Sequence, residues 1–126
     1  MVVGLGIDVA SVARVRQALE RFGERFWQRI LTENERRDLS ARPDRALALA
    51  GRFAAKEAAA KALGGPSDVW WHDVEVRSGA RGAPELCFGD TAQAHASRLG
   101  ARRALVSITH DAGIAAAVVV LESEGG

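Results

Sequence analysis

Apolar and polar residues alternate at the start of the chain. Every second position from Val3 to Val9 is apolar, and two glycines and Asp8 lie between them. This period of two predicts a β-strand with one apolar face. The other face carries the glycines and the carboxylate. Because glycine weakens a strand and often marks a close approach to the backbone, we expect another element to lie near that face.

Helical patterns follow the strand. Ser11 is a predicted N-cap for a helix that runs to about Phe22 and ends at Gly23. Its apolar residues recur at helical spacing along one side. Thr32 and Glu35 have the spacing of a capping box, which predicts a short polar helix.

A longer helix is predicted from Asp44 to Leu63. The segment consists mainly of strong helix formers, and Gly64, Gly65 and Pro66 end it. Four small residues share one side of this helix and would let it pack closely against a sheet or a neighbouring subunit: Ala54, Ala55, Ala58 and Ala62.

The second half of the chain is predicted to be mainly β-structure, with a helix over residues 91–99 and a frayed tail over residues 122–126. Four segments have the residue types of strands: 70–77, 85–88, 104–109 and 114–121. The predicted fold class is α+β, with a mainly antiparallel sheet packed on one long helix. A length of 126 residues favours a single domain over 1–126.

Charge and composition exclude several classes of protein. The chain has 17 Lys and Arg against 16 Asp and Glu, whereas a nucleic-acid-binding protein is usually far more basic. Asp8 interrupts the apolar start, and no long uncharged apolar window follows. We therefore predict a cytoplasmic protein with no membrane or nucleic-acid partner. The single cysteine, Cys87, excludes an intrachain disulfide and a Cys/His zinc cluster.

Several charged residues are candidates for chemistry. Asp8 lies in an apolar strand and needs a cation, a metal or hydrogen-bond donors; a contact with the start of the next helix is the alternative. Glu57 and Lys61 can form an i,i+4 pair worth roughly 0.2–0.5 kcal/mol. Arg52, Lys56 and Lys61 are either ordinary surface charges or a phosphate-binding group.

Two further sets of residues are candidates for a role in function. His110 and Asp111 lie at a predicted strand end, where the histidine could serve as an acid, a base or a donor to phosphate; a structural role is the alternative. Arg14, Arg21 and Arg25 would share one face of the first helix if that helix continued. That face is either a solvated surface or a docking surface.

Four sequence blocks resemble the signature of holo-acyl-carrier-protein synthases, in the family's order and spacing. They are GIDV at 6–9, GRFAAKEA at 51–58, KALG at 61–64 and VSITHD at 106–111. RILTE at 29–33 is similar to a further block. The central block is highly specific, the resemblance covers nearly the whole chain, and it is weakest over residues 34–49.

The resemblance implies an activity and an assembly. Members of this family move 4′-phosphopantetheine from coenzyme A to a serine of an acyl-carrier protein and release adenosine 3′,5′-bisphosphate. The implied assembly is a homotrimer with each active site between two subunits. The carrier could belong to a fatty acid or a polyketide synthase. A non-catalytic coenzyme A or nucleotide-binding module on the same fold is the alternative function.

The resemblance also assigns roles to residues. Asp8 and Glu57 match the ligands of Mg²⁺, an ion that prefers oxygen donors and takes part of its shell from substrate phosphates. Lys61 would stabilise charge on the phosphates. Four further residues are implied to bind coenzyme A together with Lys61: Arg52, Lys56, Gly65 and His110.

Two roles implied by the resemblance concern the serine proton and the carrier. The base is either Asp111 or a metal-bound water or hydroxide, with a slight preference for Asp111; His110 lies beside it in the predicted catalytic group. The carrier is expected to be acidic and to dock on the first helix. Arg14 matches the best-placed basic position there, with Arg21 and Arg25 beside it.

Overall fold

The computed structural model describes residues 1–124. The helices α1 to α5 are, in chain order, Val12–Phe22, Glu24–Ile30, Glu33–Leu39, Arg45–Ala62 and Asp90–Arg98. The strands β1 to β5 are Val2–Ser11, Val74–Ser78, Pro84–Phe88, Arg103–Asp111 and Ile114–Glu122.

The strands form two antiparallel sheets. One has three strands in the order β1-β5-β4, and the other is the β2-β3 hairpin. The long helix α4 packs against β1 and β5 on one face of the three-stranded sheet. The predicted α+β class, with an antiparallel sheet on one long helix, is confirmed.

Small residues on both partners allow α4 to approach β1 closely. A Cβ atom on Gly6 would overlap the carbonyl oxygen of Ala58, and one on Gly4 would overlap that of Ala62. Ala58 is fully buried and Ala62 almost so. The expected close approach at the glycine face is therefore confirmed, and the alanines of α4 pack against the chain's own sheet.

The apolar face of β1 lies on the other side of the sheet and is open in a single chain. Leu5, Ile7 and Val9 are 64%, 64% and 62% exposed, although they read from the sequence as the apolar face. Leu105 of β4 and Ile114 of β5 are also exposed, at 41% and 45%. The sheet therefore presents an uncovered apolar surface opposite α4.

Several element boundaries differ from the sequence prediction. Gly23 has φ +63° and ends α1, as predicted, so Arg25 lies on the separate helix α2. Strand β2 begins at Val74, because Trp71–Asp73 form a 3₁₀ turn. Glu122 does not belong to a frayed tail, since it pairs with Val2 in the sheet; the last two residues of that tail lie outside the described residues.

Helix ends follow the predicted chemistry. The Ser11 hydroxyl accepts a hydrogen bond from the Arg14 N–H at the start of α1. At the C-terminal end of α4, Gly64 and Gly65 have φ values of +94° and +71°. Their N–H groups donate to carbonyl groups of the last helical turn, which is a Schellman motif. No helix within residues 1–124 is both long and apolar enough to cross a membrane.

Candidate active site

Lys61 and Asp8 form an ion pair where β1 passes α4. The Lys61 ammonium donates to Asp8 Oδ1 at 2.9 Å and to the Ile7 carbonyl oxygen at 3.0 Å. The side chain of Lys61 is 55% exposed and that of Asp8 18%. Asp8 therefore has the cationic partner that its apolar strand requires. Ser11 rather than Asp8 caps the following helix.

Glu57 lies beside this pair on the same helix as Lys61. Burial and the charge of Asp8 raise the pKa of Glu57, and Lys61 partly offsets them. In the described residues the ion pair of Lys61 is made with Asp8 and not with its i,i+4 neighbour Glu57. The site thus holds two carboxylates for one exposed ammonium, an arrangement that would be stabilised by further positive charge.

A second cluster lies where α4 meets the end of β4. A cavity of about 250 Å³ is lined by Arg42, Arg52 and His110, among other residues. The side chain of Arg52 is buried and donates to Ser78 Oγ at 3.1 Å, but its Nε atom has no hydrogen-bond partner. An unsatisfied buried donor is costly, so an acceptor in this cavity would be favourable.

The two clusters lie on different sides of α4. Arg52 and Glu57 are five residues apart on the helix, which places them ~140° apart around its axis at 3.6 residues per turn. Asp8 and Lys61 accompany Glu57, whereas His110 accompanies Arg52. One chain therefore presents its carboxylates with Lys61 in one direction and the cluster of Arg52 and His110 in another.

Lys56 does not have the role that the sequence predicted. Its side chain is 1% exposed, and its ammonium donates to Glu35 Oε1 and to the Trp71 and Val74 carbonyl oxygens, each at 2.7 Å. Because an ammonium has three N–H donors, none is left for a phosphate. Lys56 is neither a surface charge nor a coenzyme A contact in this structure.

Glu35 is the buried carboxylate that compensates the charge of the buried Lys56 ammonium. Its carboxylate is fully buried and accepts from Lys56, from the N–H of Thr32 and from the N–H of Val76. The predicted capping box with Thr32 is confirmed. The short helix α3 was predicted to be polar, but it buries Glu35 and Leu39. Glu35 joins α3, α4 and β2 in one network, a role that the sequence analysis missed.

Asp111 and Gly65 lie apart from the carboxylates. Asp111 is exposed at the end of β4, beside the two-residue turn at 112–113. Two strand spacings separate β4 from β1, so the backbones of Asp111 and Asp8 are at least ~10 Å apart. Gly65 lies in the exposed turn after α4, with open space where a side chain would be. The structure does not bring Asp111 to Asp8 within one chain.

The predicted docking arginines occupy two helices. Arg14 and Arg21 are exposed on α1, and Arg25 is exposed on α2. Arg25 and Arg29 line a cavity of about 540 Å³ whose other walls are mainly aromatic. Arg16, the remaining arginine of α1, forms an ion pair with Asp44 at 3.2 Å. Basic side chains and an apolar cavity are therefore adjacent on this side of the molecule.

Arg42 is a cation that the sequence analysis missed. It precedes α4, in the stretch where the family resemblance was weakest, and it lines the same cavity as Arg52 and His110. A further cation nine residues before the GRFAAKEA block was the available signal. Its relation to Arg52 depends on the loop before α4, which no local pattern defines.

The fold and the two clusters define a class of transferase. The family model of the 4′-phosphopantetheinyl transferase superfamily matches residues 4–118, and the chain belongs to that family. A curated relative from Anaeromyxobacter sp. (strain K), named holo-[acyl-carrier-protein] synthase, is 48% identical over 128 residues, with 99% of each chain covered.

Solved structures agree with this relative. The crystal structure of holo-[acyl-carrier-protein] synthase from Neisseria meningitidis matches with a TM-score of 0.88 and 31% identity, over 98% of this chain and 100% of that one. The Helicobacter pylori synthase in complex with coenzyme A matches with a TM-score of 0.82 and 31% identity, over 94% and 99%. The resemblance to holo-acyl-carrier-protein synthases is confirmed.

Proposed function

We propose that this chain transfers 4′-phosphopantetheine from coenzyme A to a serine hydroxyl of an apo-acyl-carrier protein, releasing adenosine 3′,5′-bisphosphate. The observation that carries the proposal is the cluster of Asp8, Lys61 and Glu57 at the crossing of β1 and α4. Relatives of full length carry this enzyme's name, and a similar structure holds coenzyme A. The family match over residues 4–118 supports a single transferase domain.

The carboxylates of Asp8 and Glu57 fit a bound Mg²⁺. Both supply oxygen donors. Burial and, after it, repulsion by Asp8 raise the pKa of Glu57, and a bound dication would relieve that repulsion. Within residues 1–124 no cluster offers three or more His, Cys, Asp or Glu ligands. Two carboxylates suit Mg²⁺, which completes its shell with waters and substrate phosphates. When bound, the ion would neutralise phosphate charge and polarise the attacked phosphorus.

The chain's own cations would position the coenzyme A phosphates. Lys61 is exposed beside the carboxylates, so its ammonium can turn towards a phosphate oxygen and stabilise charge that develops during transfer. Arg52 has an unsatisfied Nε donor, and Arg42 and His110 line the same cavity. These three residues suit the phosphates at the nucleotide end of coenzyme A. Gly65 follows the C-terminal end of α4, where the absence of a side chain leaves room for the ligand. Lys56 is excluded from this set.

The serine proton needs an acceptor. Asp111 is the proposed base, but in a single chain it is distant from Asp8, so a neighbouring copy would have to supply it. A water molecule at the carboxylates is the other acceptor. The expected loss on Asp111→Ala is about 10²–10⁴-fold in kcat, whereas an unchanged rate and pH profile would favour the water.

We also propose a homotrimer with each active site between two subunits. The support is the uncovered apolar sheet face that carries Leu5, Ile7, Val9, Leu105 and Ile114, because exposed apolar patches of this kind mark association surfaces. The alanine side of α4, which the sequence analysis considered for this contact, is buried within the chain. The opposite directions of the two clusters on α4 also suit a site completed by a second copy.

The carrier would dock on the side that carries Arg14, Arg21 and Arg25. An acidic carrier matches these basic side chains, and the cavity beside Arg25 and Arg29 offers apolar surface for its contact. Transfer assays with a carrier protein from fatty acid synthesis and with one from polyketide synthesis would decide which of the two is the substrate. A cytoplasmic location stays a prediction.

Intact-mass spectrometry tests the proposed function. The purified chain, coenzyme A and Mg²⁺ are incubated with an apo-acyl-carrier protein, and the carrier should gain one 4′-phosphopantetheine group. Parallel reactions with excess chelator and with the Glu57→Gln variant should leave the carrier unmodified. Binding of coenzyme A without any transfer to fatty acid or polyketide carriers would instead identify a non-catalytic binding module.

A further inference from the structure

Arg52 is a buried cation whose hydrogen-bond partner is neutral. The residue is 7% exposed. Within residues 1–124 its guanidinium donates to a single protein acceptor, the Ser78 hydroxyl, which lies 3.1 Å from Nη2. Burial lowers the pKa of Arg52, and the charges of Glu35 and Asp38 only partly oppose this effect. Because a hydroxyl does not compensate a positive charge, the buried guanidinium favours an anion.

Ser78 is held in place at the end of β2. Its N–H donates to Asp38 Oδ2 at 3.1 Å, and the same oxygen accepts from Arg77 Nε at 3.0 Å. Asp38 lies on α3, and its side chain is 18% exposed. The hydrogen bond from Arg77 and then that from Ser78 lower the pKa of Asp38. The hydroxyl that meets Arg52 therefore belongs to a backbone that is fixed to α3.

The contact with Ser78 restricts the plane of the Arg52 guanidinium. A guanidinium is planar, and its five N–H donors point in set directions. One hydrogen bond at Nη2 therefore limits where the other donors point, and these include the buried Nε, which has no partner. Arg52 lines its cavity together with Arg42 and His110. Donors that are oriented before a ligand arrives lower the entropic cost of binding it.

We propose that Ser78 is a positioning residue that acts through Arg52 and orients its guanidinium for the 3′-phosphate of coenzyme A. The proposal rests on the proposed function, under which the pyrophosphate lies at Asp8 and Glu57. The 3′-phosphate is then the phosphate left for the cations of the Arg52 cavity. It is a terminal group with three free oxygens, which suits the fork of N–H donors on an arginine.

A hydroxyl has the chemistry that this role requires. A carboxylate in the place of Ser78 would form an ion pair with Arg52 and compete with the phosphate, whereas an apolar side chain would leave Nη2 without its acceptor. The hydroxyl orients the cation without neutralising it. Ser78 lies outside all the sequence blocks that carry the family resemblance, so only the tertiary structure connects it with Arg52.

Two ligands that differ by one phosphate test the proposal. Coenzyme A and dephospho-coenzyme A, which lacks the 3′-phosphate, are titrated calorimetrically into the full-length wild type and its variants. Ser78→Ala should weaken coenzyme A about three- to tenfold, as expected for one lost hydrogen bond, and leave dephospho-coenzyme A unchanged. Ser78→Thr keeps the hydroxyl and should bind both ligands like the wild type.

Ser97 provides the matched control. It lies on α5, and its hydroxyl also accepts a side-chain hydrogen bond, from Gln93 at 3.2 Å. Ser97→Ala therefore removes the same group in a comparable contact away from Arg52. It should match the wild type for both ligands, and a selective loss of coenzyme A affinity in this variant would overturn the proposal.

A double variant tests whether Ser78 acts through Arg52. Arg52→Gln should weaken coenzyme A by itself, and Ser78→Ala added to it should cause no further loss. A further loss as large as in the single variant would overturn the proposal, because the hydroxyl would then contact the ligand independently. In the transfer assay, Ser78→Ala should raise the KM for coenzyme A with little change in kcat, which a general structural defect would not do.

The remaining outcomes separate this proposal from the proposed function. An equal loss for both ligands in Ser78→Ala, or a loss for neither, would overturn the role of Ser78 while coenzyme A binding by the wild type stands. Wild-type protein that binds neither ligand would overturn the proposed function and this inference with it. Thermal unfolding checks the fold of each variant. Should Ser78→Ala unfold, Ser78→Val, which has the shape of threonine without the hydroxyl, takes its place in the comparison with Ser78→Thr.

Discussion

Lys56 and Lys61 lie little more than one turn apart on α4, yet the structure gives them opposite environments. Lys56 is buried among Glu35 and two carbonyl groups, whereas Lys61 is half-exposed beside Asp8. Both looked from the sequence like surface charges or phosphate ligands. The difference shows that two lysines on one helix can have different environments, one buried in a network of protein acceptors and the other half-exposed beside the candidate site.

The first way to break this comparison is to remove the buried charge. Lys56→Met leaves the Glu35 carboxylate buried without its cation, so the free energy of unfolding should fall by about 3–5 kcal/mol. Urea unfolding monitored by circular dichroism measures the change, at matched protein concentration because association would add to the stability.

A double variant is the control for that experiment. Lys56→Met with Glu35→Gln removes both charges and should recover most of the lost stability, since replacing a buried pair costs far less than breaking it. The comparison would be wrong if Lys56→Met unfolded like the wild type but raised the KM for coenzyme A, because Lys56 would then be a phosphate ligand as the resemblance implied.

The second prediction concerns the exposed lysine. Lys61→Met should lower kcat by about 10²–10³-fold, the usual loss when one donor to developing charge is removed. The free energy of unfolding should fall by less than in Lys56→Met, by about 1–3 kcal/mol, because Lys61 is 55% exposed although its partner Asp8 is only 18% exposed. Steady-state kinetics and urea unfolding on one preparation give both values.

Lys61→Arg keeps the charge and should retain more activity than Lys61→Met. A Lys61→Met variant with wild-type kcat and a loss of stability as large as that expected of Lys56→Met would reverse the roles of the two lysines. The pair of variants at positions 56 and 61 thus forms a crossed design, in which stability and rate should respond to different residues.

Local rules predicted much of the fold, whereas the residues of the candidate site came mainly from the family resemblance. The alternation in β1, the Thr32–Glu35 capping box and the glycine ending of α4 each depend on a few neighbouring residues, and each is confirmed. The family resemblance added Asp8 and Glu57, which no spacing rule connects.

Tertiary contacts decide what local patterns do not. The apolar side of β1 is uncovered because α4 approaches through backbone and alanine, which only Gly4 and Gly6 can accommodate. The burial of Lys56 requires Glu35 and the turn before β2 to meet it from two other segments. A sequence pattern describes a face of one element, but it does not state which partner covers that face.

The third prediction uses the two sides of α4. Glu57→Gln and His110→Ala subunits should each be inactive alone. If the carboxylates of one copy act with the phosphate-binding residues of the next, a randomly mixed trimer should contain about one intact site in four. Co-expression of the two variants followed by the transfer assay measures the recovered rate. A mixture as inactive as its components would show that each chain supplies its whole site.

The smallest expected effect concerns the arginines outside the site. Arg14 is exposed on α1 and is assigned to carrier docking, whereas coenzyme A is assigned to α4 and β4. Long-range attraction between a basic surface and an acidic partner raises the association rate and is screened by salt. Arg14→Glu should therefore raise the KM for the carrier protein about two- to fivefold and flatten its dependence on salt, with a weaker effect for Arg21→Glu. The KM for coenzyme A should not change.

Arg102→Glu, an equal charge reversal at an exposed arginine before β4, is the matched control and should leave both KM values as in the wild type. Steady-state kinetics with each substrate varied in turn distinguishes the cases: equal changes in both KM values for Arg14→Glu, or the same change for Arg102→Glu, would place the docking surface elsewhere.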